Sequence, residues 1–136
     1  ENEVHHILND VKNVTYTKFN AEDSIQFHSP FNIAVVPTIF SEGTSLSACE
    51  AMASGCVPVV SHVGGLTNII LDHFNGRLFY PQEEYLYKTM QEVIEMDINE
   101  FKKVAKRAYE TATSTFSRDT WAEKWITMIN LVMSSK

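Results

Sequence analysis

The chain has 136 residues, enough for one domain around one hydrophobic core. Its apolar content of 44% fits an ordinary soluble globular protein, and its formal charge of −6 argues against a nucleic-acid face or an anionic membrane surface. No apolar run reaches the ~18 residues of a membrane span, and no signal-peptide pattern opens the chain.

Residues 1–12 read as a helix end, with Val4, Ile7, Leu8 and Val11 at helical spacing. Residues 13–17 read as a short strand. A short helix over 21–28 breaks near Pro30. The apolar run Ile33-Ala34-Val35-Val36 reads as a buried parallel strand. Residues 43–54 read as a helix capped by Thr44 or Ser45 and stopped by Gly55. Residues 57–60 form the next buried strand, where Pro58 is tolerable only near the start or on an edge. Gly64-Gly65 begins a turn, and a short helix over 66–71 follows. Asn75-Gly76 is a second turn, before a strand over 77–80 that Pro81 stops. Three helices complete the chain. The first, 83–96, aligns Leu86, Met90, Val93 and Ile94. The second, 99–113, aligns Phe101, Val104, Ala105, Ala108 and Ala112. The third, 118–133, aligns Trp121, Trp125, Met128, Ile129 and Val132. No internal repeat, low-complexity tract or linker interrupts this order.

Alternating strands and helices imply an α/β fold with a parallel sheet and right-handed crossovers. In such sheets ligands bind outside the carboxyl ends of the strands. The loops after Val36 and Val60 leave that same edge, so the glycine-bearing segments 38–46 and 61–66 face one crevice. The turn Glu42-Gly43-Thr44-Ser45-Leu46 enters a helix, whose unpaired N–H groups and dipole suit a diphosphate. Gly43 permits close backbone approach, and Thr44 and Ser45 add hydroxyl donors.

Between Gly43 and Gly76 only Glu50 and Asp72 are charged, histidine aside, although at 21% charged residues the span would hold about seven. The span is therefore read as mostly buried. Leu46, Cys49, Glu50 and Ala53 share one helical stripe, so Glu50 lies within an apolar face. A carboxylate there needs a partner or a ligand. Two alternatives stay open: a ribose whose hydroxyls it accepts, or a distant arginine or lysine. Glu42, at the crevice mouth, either accepts sugar hydroxyls or is a solvated loop residue. Cys49 and Cys56 read as two buried thiols without a disulfide framework, which implies a reducing cytoplasm. His5-His6 reads as a surface pair, and His62 and His73 as loop residues, with His62 near the crevice.

Glu42, seven intervening residues, Glu50-Ala51-Met52-Ala53, Gly55, Pro58-Val59-Val60 and Gly64-Gly65 together resemble the donor-binding core of retaining glycosyltransferases. The likeness is to family four, the glycosyl transferases group 1, which have the GT-B fold. It runs from Asn13 to Ile129, taking in Asn75-Gly76, Tyr80, Phe116-Ser117 and Trp121. The ordered set is specific where Glu-x7-Glu alone would be weak.

The resemblance implies a Rossmann-like parallel sheet with flanking helices, the C-terminal part of a GT-B nucleotide-sugar-binding domain. Residues 1–136 would be a single domain, a fragment of that C-terminal donor-binding domain. It implies a UDP- or GDP-linked sugar and no further cofactor. Glu42 would contact the donor sugar at the reacting centre. Backbone N–H groups at Thr44, Ser45 and Leu46, beside Gly43, would hold the diphosphate. Glu50 would bind the ribose, and Gly64-Gly65 would face the donor. A hexosyl group would pass to a glycan or lipid-linked acceptor, as in polysaccharide or glycolipid assembly, with retention at the anomeric carbon. No metal is expected, since the chain contains no Asp-x-Asp.

The chain departs from the family pattern in three places. The acceptor domain is absent, and so is the phosphate-binding loop with its arginine and lysine, whose positions Arg77 and Lys88 do not match. Asn68 stands where an acid often follows the glycine pair. The chain starts at Glu1 without methionine and is expected to be a piece of a longer protein, inactive in transfer alone, cytoplasmic or peripheral to a membrane. An exposed final helix would allow a homodimer. The competing readings are another GT-B enzyme, such as a sugar-nucleotide epimerase, and a non-catalytic nucleotide-binding or interaction module.

Overall fold

A computed structural model of the chain describes residues 11–135. A 3-10 turn, Ala21–Asp23, leads into α1, Ser24–His28. Then follow β1 (Ile33–Val36), α2 (Leu46–Ala53), β2 (Val57–Ser61), α3 (Leu66–Ile69) and β3 (Arg77–Phe79). Helices α4 (Glu83–Ile94), α5 (Ile98–Thr115) and α6 (Arg118–Ser134) end the chain. The expected helix over 1–12 lies almost wholly outside the described residues, as do His5 and His6.

The three strands form one parallel sheet in the order β1-β2-β3. Val36 pairs with Val60 and Ser61 with Phe79, so the strands end nearly level. Central β2 is buried at all five positions. Pro58 sits second in it, at the start where a missing N–H is tolerated. Because side chains alternate across a strand, β2 feeds two cores. Val60 joins Ala48, Met52, Leu66, Ile69, Ile70, Ala108 and Ala112 on one face. Val57 and Val59 join Phe79, Val93 and Val104 on the other. α5 reaches both cores, with Val104 in one and Ala108 and Ala112 in the other. Its alanines face Ala48 and Met52 of α2, and such small side chains let two helices approach closely.

Local chemistry sets the helix ends. The Ser45 hydroxyl accepts from Ala48 N at α2, Asp97 Oδ1 accepts from Asn99 N and Glu100 N at α5, and Ser117 Oγ accepts from Thr120 N at α6. Gly55, at φ +87°, follows α2 in the left-handed conformation that ends helices. The turn into β3 is held from within. Buried Asn75 accepts from Leu71 N at 2.7 Å and donates to Ile69 O and to Thr111 Oγ1 of α5.

Several expectations need correction. Residues 13–17 form no strand; Val14 and Tyr16 are exposed and lie outside the sheet's ladders. β1 is an edge strand and only half-buried, because its outer side has no neighbour among the described residues. α2 begins at Leu46, three residues later than expected, because Gly43 and Thr44 belong to the loop. Cys49 is only half-buried, whereas Cys56 is buried and donates weakly to Phe31 O; both thiols are free. The stripe of α6 packs little: the helix buries none of its residues, and Trp121, Trp125 and Ile129 are exposed. Among the described residues no helix is long and apolar enough to cross a membrane.

Candidate functional site

The loops that leave β1 and β2 interlock. Gly65 N donates to Glu42 O at 2.9 Å. A Cβ added at Gly65 would lie 2.1 Å from Gly43 O, and one at Gly64 would lie 2.3 Å from Glu42 O. Only glycine allows two backbones to run this close. The glycine pair thus serves as the clamp that fixes the Glu42-Gly43 turn, and the shared crevice edge expected from the topology is present. At Gly43 itself an added Cβ would meet nothing within 4 Å, so its outer side is open.

The turn delivers the chain into α2. N–H groups in the first turn of a helix have no intrahelical acceptor. Ala48 N is taken by the Ser45 cap, while Thr44, Ser45 and Leu46 donate their N–H to no group among the described residues. The Ser45 hydroxyl is buried and committed to that cap. Of the two expected hydroxyl donors, Ser45 keeps its O–H but is buried, whereas Thr44 is exposed.

Glu50 lies one turn further along α2. The face that α2 turns to the core carries Ala48, Ala51 and Met52. Leu46, Cys49, Glu50 and Ala53 lie on the other flank, and Leu46 is 70% exposed. They line a hollow of about 230 Å³ together with Ile25 and Phe116. Leu46, Cys49 and Phe116 also wall a neighbouring hollow of about 410 Å³, which adds Thr44, Trp121 and Lys124. Thr44 and Leu46 at the helix start and Glu50 thus line adjoining space.

Among the described residues no cation pairs with Glu50 and no side chain hydrogen-bonds to its carboxylate; Ser54 Oγ donates only to its main-chain carbonyl. The other acid of the charge-poor span behaves differently. Asp72 Oδ1 accepts from His73 N and Leu78 N and lies 3.3 Å from Arg77 Nε. Arg77 is itself buried and pairs with Glu92 as well, which makes it structural. Sequence spacing brought Asp72 and Glu50 to notice together; only Glu50 is left without internal work. The neighbouring Cys49 thiol is pushed up, first by burial and then by the Glu50 charge.

Glu42 is half-buried, and its Oε2 accepts from Thr38 Oγ1 at 3.0 Å. His62 is exposed at the end of β2, with its ring 5.5 Å from that of Tyr80. Asn68 is exposed after the glycine clamp. Sequence reading missed two site residues. Thr38 carries no pattern beyond standing four residues before Glu42, and Lys124 reaches the site only through the fold.

The model of the family described as glycosyl transferases group 1 matches residues 5–112. The chain belongs to this family. An uncharacterised glycosyltransferase of Methanocaldococcus jannaschii is 36% identical over 63 residues, which are 46% of this chain and 16% of that protein. Among solved structures, sucrose-phosphate synthase from Thermosynechococcus elongatus superposes with a TM-score of 0.84 at 23% identity, covering 99% of this chain and 35% of that one. HepE from Anabaena, in complex with UDP, gives a TM-score of 0.83 at 22% identity, covering 99% and 36%. The Rossmann-like α/β reading as part of a GT-B glycosyltransferase therefore holds. This group 1 glycosyltransferase chain spans about a third of the length of those solved proteins.

Proposed function

We propose that this chain is part of the donor-binding domain of a retaining glycosyltransferase that uses a UDP- or GDP-linked hexose. One observation carries the reading. The Glu50 side chain lines a largely apolar hollow, its carboxylate without a partner among the described residues, one turn beyond free N–H groups at the start of α2. A carboxylate so placed suits a neutral ligand with paired hydroxyls, such as a ribose, and the helix start beside it suits a diphosphate. HepE, of the same fold, is known in complex with UDP-glucose, which supports the choice of ligand class.

In this reading Thr44, Ser45 and Leu46 hold the diphosphate through their N–H groups, and the helix dipole adds roughly 0.3–1 kcal/mol. Glu50 accepts the ribose hydroxyls. Glu42 touches the donor sugar, on a backbone that Gly64 and Gly65 hold in place. The acceptor hydroxyl enters on the face from which the diphosphate leaves, through an oxocarbenium-like state. Fixed N–H donors stabilise the charge that develops on the leaving group. The acceptor, a glycan or lipid-linked sugar, is bound by parts of the full-length protein beyond this chain. Both thiols are free, which supports a reducing compartment.

Titrating UDP and GDP into the full-length protein and its Glu50→Ala variant tests the assignment. We expect one nucleotide to bind, and the variant to lose about 1.5–3 kcal/mol, as for a hydrogen bond to a charged group. Equal affinity in the variant, or no binding of either nucleotide, would overturn it.

A further inference from the structure

We propose that Thr38 is a positioning residue for Glu42, which it holds with one carboxylate oxygen occupied and the other open for a sugar hydroxyl. The inference rests on the reading of Glu42 as a donor-sugar contact.

Thr38 lies two residues beyond the end of β1, and its Oγ1 donates to Glu42 Oε2 at 3.0 Å. Both residues are half-buried, but the loop between them is not: Phe40 at its tip is 91% exposed. The Thr38–Glu42 bond therefore closes the stem of an otherwise open loop. The main chain of Glu42 is fixed independently, by Gly65 N on its carbonyl and by the close approach of Gly64. That clamp sets the Cα but leaves the side-chain torsions of a long acid undetermined. Among the described residues no lysine, arginine or histidine pairs with Glu42, so the Thr38 hydroxyl is the one side-chain hydrogen-bond partner there that orients its carboxylate. Oε1 has no partner among them and remains an acceptor. A carboxylate held by a neutral hydroxyl keeps its full charge for the ligand, whereas one held by a cation would not.

The test uses the full-length protein and four probes, UDP, UDP-glucose, GDP and GDP-mannose, titrated by calorimetry. Thr38→Val keeps the shape and removes the donor; Thr38→Ser keeps the donor. We expect Thr38→Val to weaken the bound sugar nucleotide about three- to tenfold while its bare nucleotide stays within about twofold, the range of one lost hydrogen bond. Thr38→Ser should restore the sugar nucleotide to near the native affinity. The bare nucleotide also reports that each variant is folded. An equal loss for both ligands in Thr38→Val would make the residue merely structural and overturn the inference. No loss in Thr38→Val beside a clear loss in Glu42→Ala would remove Thr38 and leave Glu42 standing. If none of the probes binds the native protein, or if Glu42→Ala changes nothing, the sugar-contact reading falls and this inference with it.

Discussion

Glu50 and Cys49 are neighbours at the margin of the core face of α2, where Cys49 packs against the core and lines the hollow with Glu50, and their chemistry is coupled. Burial raises the Cys49 thiol first, and the adjacent carboxylate raises it further. The sign of the coupling gives a direct check. Glu50→Gln removes a negative charge, so the thiol falls back towards its ordinary value and more thiolate is present at a given pH. We expect alkylation of Cys49 by iodoacetamide at pH 8 to quicken about two- to threefold in Glu50→Gln, read by mass spectrometry. Cys56 is buried and should stay unlabelled in both proteins. An unchanged Cys49 rate would mean that Glu50 carries no charge close to the thiol. Asp72, the second acid of the charge-poor span, needs no such test, because Arg77 and two backbone N–H groups already account for it.

The connection between β1 and α2 depends on two kinds of glycine. Gly65 is required for space inside the protein, since an added Cβ would sit against the Gly43 carbonyl. Gly43 is open on its own outer side. We therefore expect opposite outcomes from the same substitution. Gly65→Ala should cost about 1–3 kcal/mol in urea unfolding, the usual range for overpacking. Gly43→Ala should stay within about 0.5 kcal/mol in stability and show its effect in nucleotide affinity. If Gly65→Ala were as stable as the native protein, the interlocked loops would not be a rigid feature of the site. Much of this element was readable from the sequence because it is local. A serine three residues before Ala48 and a glycine after Ser54 mark the two ends of α2 without tertiary information. The clamp was not readable, because Gly64 and Gly65 meet Glu42 and Gly43 only after two strands have paired.

Across the molecule, what the sequence left unread depends on neighbours in space. Residues 13–17 have strand composition, but a strand exists only in a ladder, and among the described residues they belong to none. β1 is apolar enough for a sheet interior and yet forms an edge. The regular apolar stripe of α6 predicts a packed helix, but nothing among the described residues buries it. The stripe that spacing gives Glu50 is present, with Leu46, Cys49 and Ala53 beside it, but the fully buried side of α2 is Ala48, Ala51 and Met52. The carboxylate is therefore half-buried and open to the hollow, which favours a ligand over a packed ion pair. The decisive question is then whether a ribose meets that carboxylate. It can be answered by measuring the affinity of the full-length protein for the nucleoside diphosphate it prefers and for the 2′,3′-dideoxy form, each with native Glu50 and with Glu50→Ala. We expect the native protein to bind the dideoxy nucleotide at least about tenfold more weakly and the variant to bind both forms alike, since the lost partners are the same. Equal discrimination by the two proteins would show that the ribose hydroxyls are held elsewhere and that Glu50 does not bind the donor.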